Sequence, residues 1–249
     1  MIWRYFIVLQ YNGKNYCGWQ IQPGKPTVQA ELNEKLSILL KDKIATTGAG
    51  RTDTGVHAKY FVAHFDISRN INQSLESLVF KLNRFLSSNI RIIKIMPVDN
   101  KAHARFDAIS RSYNYYISTI KEVFKSEFVW QLHQKLDIEI MNKGSEVLKE
   151  YKDFTSFSKL GTDVKTNNCY ISDAGWQMKD DIFMFSITAD RFLRNMVRAI
   201  VGTMVCLGRH KIGIDQFRQI IEAQNRSKAG ESAPAQGLFL WNITYPFEL

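Results

Sequence analysis

The sequence has few cysteines and no long apolar run, and both absences narrow the class of protein. Its three cysteines, Cys17, Cys169 and Cys206, are too far apart for a C-x-x-C pair. An odd, small number of cysteines does not suit a disulfide framework either. No apolar run reaches the roughly 20 residues of a membrane-spanning helix, and the N-terminal residues lack the charged start and the cleavage site of a signal peptide. We therefore expect a cytoplasmic protein with reduced thiols and no membrane span.

Motifs for metals and nucleotide cofactors are absent as well. The five histidines show none of the spacings of zinc sites. A glycine-rich segment at residues 47–58 has neither the Gly-Lys-Ser/Thr ending of a phosphate-binding loop nor the G-x-G-x-x-G spacing of a dinucleotide site. The sequence therefore predicts no metal ion and no cofactor.

The composition is that of a globular protein with a basic surface. Of 249 residues, 45% are hydrophobic and 12% aromatic, which is enough for a sizeable core. Lysine and arginine number 33 against 24 acidic residues, and the formal net charge is +9. This balance favours a polyanionic partner, with nucleic acid ahead of a membrane surface.

Hydrophobic periodicity predicts the elements of the first half. Runs rich in aromatic and branched side chains indicate strands, and apolar residues spaced along one face, as from Val28 to Leu39, indicate helices. The predicted elements are a strand over residues 3–11, a helix from an N-cap at Thr27 to about Lys41, strands over 43–47 and 59–67, a helix over 73–87 and a strand over 90–96. This β-α-β-β-α-β order is that of the ferredoxin-like, split-βαβ arrangement.

A similar pattern starts again after residue 103. It consists of a strand over residues 109–119, a helix over 139–151, paired strands over 169–178 and 182–189, helices over 191–208 and 214–223 and a strand over 238–244. We therefore predict an α/β protein with two ferredoxin-like halves, residues 1–103 and 104–249. We expect their strands to form one continuous, mixed and mostly antiparallel sheet, with helices packed on it and a central cleft.

The segment 47–58 contains three glycines, one arginine and one aspartate. Glycines at positions 48, 50 and 55 allow a positive φ or a close approach of the backbone to a ligand, so such a loop can hold one side chain at a fixed angle. Asp53 is the candidate side chain. The alternative is that Asp53 merely closes an Asx turn, and the loop alone leaves both interpretations open.

The segment resembles the catalytic motif of the tRNA pseudouridine synthase A family, with the residues Gly50-Arg51-Thr52-Asp53-Thr54-Gly55-Val56-His57-Ala58. Further blocks follow in the order of that family. They are Tyr11-Asn12-Gly13, Gly18-Trp19-Gln20, Thr27-Val28-Gln29, His103-Ala104-Arg105-Phe106, Asp153-Phe154-Thr155-Ser156-Phe157, Met196-Val197-Arg198 with Val201-Gly202, Ala233-Pro234-Ala235 and Gly237-Leu238.

The resemblance implies roles for five residues. Asp53 would be the nucleophile, and Arg51 would bind RNA. Tyr113 would stack on uracil and accept the proton from C5, and Leu238 would line the uracil pocket. Arg198 would oppose Asp53 and keep its carboxylate ionised, because burial alone favours the neutral acid.

Each of the residues outside the loop also has a purely structural interpretation. Helical spacing places Arg198 on one side with Arg191 and Arg194, where a solvated cationic face is the alternative. Strand alternation places Tyr113 on one face with Arg111, and a tyrosine that only packs in the sheet is the alternative. Leu238 could equally be a plain core leucine.

The resemblance also implies the reaction. We expect a homodimeric isomerase, without a cofactor, that converts uridine to pseudouridine at positions 38, 39 and 40 of the tRNA anticodon stem-loop. The alternative is a catalytically silent RNA-binding module or tRNA-folding chaperone. A glycoside hydrolase is a weaker third possibility, because no second carboxylate for acid catalysis is evident.

Overall fold

A computed structural model describes residues 2–159, 161 and 166–249. The chain forms two compact units. Unit 1 comprises Met1–Ile109 and Leu240–Leu249, and unit 2 comprises Ser110–Phe239. The predicted division into residues 1–103 and 104–249 stays a prediction.

Unit 1 follows the order β-α-β-β-α-β. Its elements are β1 (Trp3–Tyr11), α1 (Val28–Leu40), β2 (Thr46–Gly48), β3 (His57–Ile67), α2 (Leu75–Phe85) and β4 (Ile90–Val98). The strands pair antiparallel in the order β4-β1-β3-β2, as in the split-βαβ arrangement. The element order predicted for the first half is therefore confirmed.

The central position of β1 explains its composition. The strand lies between β3 and β4, and its five consecutive residues Tyr5 to Leu9 are buried. Because successive side chains point to opposite faces, both faces of β1 are covered. Helix α1 begins at the predicted N-cap, where the Thr27 side chain accepts a hydrogen bond from the N–H of Ala30. Its buried face runs from Val28 to Leu40 in steps of four residues, and Leu39, predicted on that face, is only partly buried.

Strand β2 begins three residues later than predicted. The N–H of Ile44 donates to Oγ of Ser37, and the N–H of Thr46 donates to Oδ1 of Asn33. Because both acceptors belong to α1, these N–H groups bond to helix side chains instead of a neighbouring strand. The ladder with β3 therefore starts only at Thr46.

Unit 2 repeats the β-α-β-β-α order with additions. Its elements are β5 (Ser110–Ser118), β6 (Trp130–Gln131), α3 (Ile138–Lys149), β7 (Ile171–Lys179), β8 (Ile182–Ala189), α4 (Met196–Gly208) and α5 (Ile214–Glu222). Strands β5, β8 and β7 pair antiparallel in that order, whereas the short β6, which was not predicted, pairs parallel with β5. The last strand, β9 (Leu238–Thr244), begins in unit 2.

The predicted hairpin of β7 and β8 is confirmed. Its turn contains Asp180 and Asp181, with φ of 51° and 61°. Two consecutive positive φ angles match the right-handed twist of the flanking strands, and aspartate tolerates this conformation better than most residues.

The helix predicted over residues 191–208 begins later, and this part of the prediction is wrong. Helix α4 starts at Met196, because Asn195 has a φ of 65° and a left-handed residue interrupts a right-handed helix. Arg191 and Arg194 therefore precede the helix and do not share a helical face with Arg198. The buried part of α4 extends over nearly its whole circumference.

The structure confirms the α/β class with mostly antiparallel strand pairing and packed helices. The central cleft stays a prediction. Among the residues that the structure describes, no helix is long and apolar enough to cross a membrane.

Candidate active site

Asp53 lies in the loop that connects β2 to β3 in unit 1. Its side chain is half-buried, while the neighbouring Arg51 and Thr54 are exposed. The turn from Asp53 to Val56 is closed by the main chain, with the N–H of Val56 donating to the carbonyl of Asp53 at 3.2 Å. Gly55 has a φ of 78° at the third position of this turn, where type II turns require a positive φ.

Buried anchors fix this loop on both sides of Asp53. The N–H of Ala49 donates to the carbonyl of Val62 at 2.8 Å. The hydroxyl groups of Thr52 and Tyr11 are hydrogen-bonded at 2.9 Å in the interior. Val56 is buried as well. With these residues inside, the aspartate at position 53 is held at the surface of the unit by a rigid backbone.

The segment from Tyr11 to Trp19 packs directly against the loop. At Gly13, an added Cβ would lie 2.0 Å from the carbonyl oxygen of Val56, and at Gly18 it would lie 2.3 Å from that of Thr52. Gly18 also has a φ of 86°. These contacts explain why the sequence has glycine at positions 13 and 18. A side chain at either position would push the Asp53 loop out of place.

The three glycines of the loop itself differ in what they do. Gly55 supplies the positive φ, and Gly48 leaves room for the indole of Trp19, which an added Cβ would approach to 2.6 Å. Gly50 does neither, since its φ is not positive and an added Cβ would meet nothing within 4 Å. Of the two functions expected for Gly50, a positive φ is therefore wrong, and a close approach to a ligand stays a prediction.

A partly buried hydrogen-bond network holds the 11–19 segment in turn. The hydroxyl of Tyr16 donates to Oε2 of Glu31 at 2.6 Å and accepts from Oγ of Ser87, while the N–H of Ser87 donates to Oε1 of Glu31. Burial, reinforced by Glu31, raises the pKa of Tyr16 to about 12. The carbonyl of Tyr16 accepts from the N–H of Gly55, so this network reaches the Asp53 turn through one residue.

In unit 2, Arg198 lies in the first turn of α4 and is half-buried. Its Nε donates to the carbonyl of Ala233 at 2.7 Å, and the N–H of Ala233 donates back to the carbonyl of Arg198 at 2.9 Å. The close contact of this segment with α4 depends on Gly202, where an added Cβ would lie 1.7 Å from the carbonyl oxygen of Glu231. The side chain of Arg198 is thus oriented by a fixed main-chain acceptor.

Tyr115 joins the same segment from β5. Its hydroxyl donates to the carbonyl of Pro234 at 2.7 Å, and its ring is fully buried. Burial raises the pKa of Tyr115, which the charge of Arg198 partly opposes. Segment 233–234 therefore connects the strand of the candidate tyrosine with the helix of the candidate arginine.

Tyr113 lies two residues before Tyr115 and so points to the same side of β5. Its ring is half-buried and meets the ring of Phe192 edge to face, with centroids 5.0 Å apart. On the same strand, Arg111 donates to the carbonyl of Asp190. The loop between β8 and α4 thus contacts the side of β5 that carries the candidate tyrosine, and Phe192 orients its ring.

Leu238, the first residue of β9, is buried. The preceding Gly237 lies so close to Tyr115 that an added Cβ would be 2.7 Å from the tyrosine ring. Leu238 and Tyr115 thus both belong to unit 2, while Asp53 and Arg51 belong to unit 1. In the part of the chain that the structure describes, no group of three or more His, Cys, Asp or Glu side chains is arranged to hold a metal ion.

Comparison with known proteins assigns the family. A family model described as tRNA pseudouridine synthase matches residues 7–107 and 151–246. The chain belongs to the tRNA pseudouridine synthase family. The tRNA pseudouridine synthase A of Parabacteroides distasonis is 56% identical over 246 residues, which cover 99% of this chain and 97% of that protein.

More distant relatives carry the same name. The tRNA pseudouridine synthase A of Porphyromonas gingivalis is 50% identical over 99% of this chain and 98% of its own length. That of Bacillus subtilis is 37% identical over 95% of this chain and 97% of its own length. The family predicted from the sequence is therefore confirmed, together with its enzyme class, an isomerase that acts on uridine in tRNA.

Several contacts around the family motif were not found by sequence reasoning. Phe192, Glu31 and Ser87 contact candidate residues or their supports, yet none of them lies in a quoted sequence block. Gly13, Tyr16 and Gly18 lie in or beside such blocks, so the resemblance to the family was the sequence signal that pointed to them. Their function as supports of the loop emerges only from contacts between residues about 35 to 45 positions apart.

Another quoted block of the family, His103 to Phe106, forms a turn whose supports include two histidines. The N–H of Ala104 donates to Nδ1 of His64, and the rings of His64 and His103 are 4.6 Å apart. Burial, with smaller contributions from the positive charges of Arg4 and His103, lowers the pKa of His64 from 6.5 to about 4, although Asp66 and Asp107 oppose the shift. His64 is therefore neutral in the folded chain at neutral pH.

We expect the free energy of unfolding to decrease as the pH falls from about 6.5 to about 4. In this window the unfolded chain binds a proton at His64 and the folded chain does not, so protonation favours unfolding. The loss from this one residue is at most about 3.5 kcal/mol. Urea unfolding at a series of pH values measures it.

His64→Asn provides the comparison, because its Oδ1 accepts the Ala104 hydrogen bond without titrating. The variant should lose less stability over this window than the wild type. The control His133→Asn, at an exposed position, should lose as much stability as the wild type. An undiminished decrease in His64→Asn would contradict the assignment.

Proposed function

We propose that this chain isomerises uridine to pseudouridine at positions 38, 39 and 40 of the tRNA anticodon stem-loop, with Asp53 as the nucleophile. The observation that carries the proposal is the Asp53 loop. Its backbone is fixed by buried anchors and by two glycines of a separate segment, while Asp53 itself stays accessible. The match to the family over nearly the whole chain supports the same assignment.

The chemistry needs few groups. The bond from C1′ of the ribose to N1 of uracil breaks, the base turns, and C1′ bonds to C5. The proton leaves C5 while N1 regains one, so nothing is oxidised and no co-reactant is consumed. An ionised carboxylate of Asp53 would either form an adduct with the sugar or stabilise it as the base departs, as carboxylates do in glycosidases.

The other candidate residues supply what remains. Arg198 keeps the carboxylate of Asp53 ionised, because a nearby cation offsets the cost of burying a negative charge. Tyr113 stacks on the uracil and accepts the C5 proton. Leu238 excludes water from the base. Arg51 binds the RNA and helps to hold the target base out of its stack, which costs a few kcal/mol.

The same proposal includes the assembly and location of the enzyme. We propose a homodimer that works in the cytoplasm on tRNA. The family resemblance supports the dimer. The three cysteines, which the structure describes as free thiols, support a reducing compartment.

Incubation of the purified protein with unmodified tRNA transcripts tests the proposal. Transcripts that carry uridine at only one of positions 38, 39 and 40 should each gain pseudouridine at that position. A transcript with cytidine at all three should gain none. Binding of tRNA without any isomerisation would instead favour a silent RNA-binding module, and modification elsewhere would refute the assigned positions.

The phenol of Tyr113 is tested by two substitutions. Tyr113→Phe keeps an aromatic face for stacking, worth roughly 1–3 kcal/mol per base, and removes the proton acceptor. We expect it to block product formation while the affinity for tRNA stays near the wild-type value. Tyr113→Ala should weaken binding as well. Single-turnover rates and dissociation constants measure both effects.

Tyr116→Phe is the matched control, because Tyr116 lies on the opposite face of β5 and packs edge to face on Phe239. It should remain active. If Tyr113→Phe is also fully active, Tyr113 stacks on the base but does not accept the proton.

A further inference from the structure

The turn between β4 and β5 exposes an unusual pair of side chains. Phe106 is 75% exposed, and the neighbouring Arg105 is exposed too. The guanidinium group of Arg105 lies 5.8 Å from the centroid of the Phe106 ring. A cation and an aromatic face are therefore presented side by side to solvent in unit 1.

This exposure is not the consequence of a loose loop. Nδ1 of His103 accepts from the N–H groups of Arg105 and Phe106, at 3.1 and 3.3 Å. The carboxylate of Asp107 accepts from the N–H of His103 at 2.8 Å, and the N–H of Asp107 donates to the carbonyl of His103. Both hydrogen bonds of His103 require an unprotonated Nδ1, and burial lowers the pKa of this histidine.

The buried side of the same turn is equally fixed. Ala104 is fully buried, its N–H donates to His64, and its carbonyl accepts from the hydroxyl of Tyr245. The ring of His103 supports the ring of Phe106 from one side, with centroids 4.2 Å apart and planes inclined by 31°. The exposed ring is thus pre-organised, which lowers the entropy cost of binding a partner.

We propose that Arg105 and Phe106 form a contact site for tRNA outside the reacting uridine. Phe106 stacks on an unpaired base, and Arg105 binds a phosphate next to it. Aromatic rings beside cations bind single-stranded nucleic acid in this way, because every base has a face for stacking. The net charge of +9 favours the same polyanion. The inference rests on tRNA being the substrate.

A second copy of this chain fits the site less well. A stable protein interface buries about 800 Å² on each partner, whereas this site consists of one ring and one cation at the tip of a turn. Two copies that meet there would also bring like charges together.

Phe106→Ala is expected to weaken the affinity for tRNA by roughly 5- to 150-fold, since stacking on one base contributes this much. The rate constant at saturating tRNA should stay near the wild-type value, because no reacting atom is contacted. Phe106→Trp should bind like the wild type, whereas Phe106→Leu, which is apolar but has no aromatic face, should bind as weakly as the alanine variant. Arg105→Ala should reduce the slope of log affinity against log salt concentration by about one, which is the contribution of one phosphate contact.

Phe80→Ala is the matched control. Phe80 is 63% exposed and also has an arginine, Arg84, with its guanidinium 5.8 Å from the ring centroid. Here the pair is four residues apart on α2, a spacing that helices use for local stabilisation. This variant should bind tRNA like the wild type.

A photo-crosslinking phenylalanine analogue at position 106 should attach to tRNA, and one at position 80 should not. Wild-type affinity of Phe106→Ala, wild-type affinity of Phe106→Leu, or a crosslink to a second protein chain would each overturn the inference. Failure of the wild type to modify tRNA would refute the proposed function instead, so the two failures are distinguishable.

Discussion

Replacing Asp53 with asparagine is expected to reduce the rate of pseudouridine formation by at least about 10³-fold. The amide has nearly the size of the carboxylate, but it is neutral. It can neither form the adduct nor stabilise the positive charge that develops on the ribose. Single-turnover measurement on an unmodified tRNA transcript gives the rate, and the affinity for tRNA should stay within several-fold of the wild type, since the basic surface is retained.

Asp180→Asn is the matched control for this substitution. Asp180 is exposed in the turn of the β7–β8 hairpin and has a φ of 51°, which asparagine also tolerates. The control should keep full activity. An Asp53→Asn variant that retains a substantial fraction of the wild-type rate would show that the nucleophile has been assigned to the wrong residue.

Gly13→Ala is expected to reduce the rate by about 10²-fold without changing the affinity for tRNA. The added methyl group would lie 2.0 Å from the carbonyl oxygen of Val56 and 2.6 Å from its carbonyl carbon. Both are main-chain atoms of the loop, so the loop must shift. A displacement of about 1 Å at a catalytic group costs on the order of 10²-fold in rate. The strain should also lower the stability by roughly 1–3 kcal/mol.

Gly50→Ala separates this effect from a general intolerance of the loop. Gly50 lies in the Asp53 motif, but no other described part of the chain lies within 4 Å of a Cβ added there. Its rate should stay within a few-fold of the wild type. Rates are compared at a temperature where thermal unfolding shows both variants to be folded. Equal rates for Gly13→Ala and the wild type would mean that the 11–19 segment does not position Asp53.

Local patterns in the sequence predicted the order of most elements. Runs rich in aromatic and branched residues mark β1 and β3, and the N-cap Thr27 with leucines four residues apart marks α1. These signals depend on neighbours within about a turn of helix or a few residues of strand, so they can be read without knowing the fold. The Asp53 motif was evident for the same reason, because its residues are contiguous.

The boundaries that failed depend on less local information. Helix α4 starts at Met196 and not at Arg191, because Asn195 adopts a left-handed conformation that its residue type permits but does not require. Strand β2 starts late because Oγ of Ser37 in α1 accepts the N–H of Ile44, which precedes the strand, and Oδ1 of Asn33 accepts the N–H of Thr46, its first residue. Because α4 starts at Met196, Arg191 and Arg194 precede the helix and do not share a helical face with Arg198 as expected.

Contiguous motifs and local periodicity were enough to predict the family, the class of reaction, the order of most elements and the loop that carries Asp53. The supports of the candidate residues emerged only from the folded chain. The contact of Gly13 with Val56, the network of Tyr16, Glu31 and Ser87, and the bond from Arg198 to Ala233 each join residues that are far apart in the chain. Such contacts depend on how the elements pack. No local periodicity or propensity encodes that packing, since it follows from the complementarity of side chains that meet only after folding.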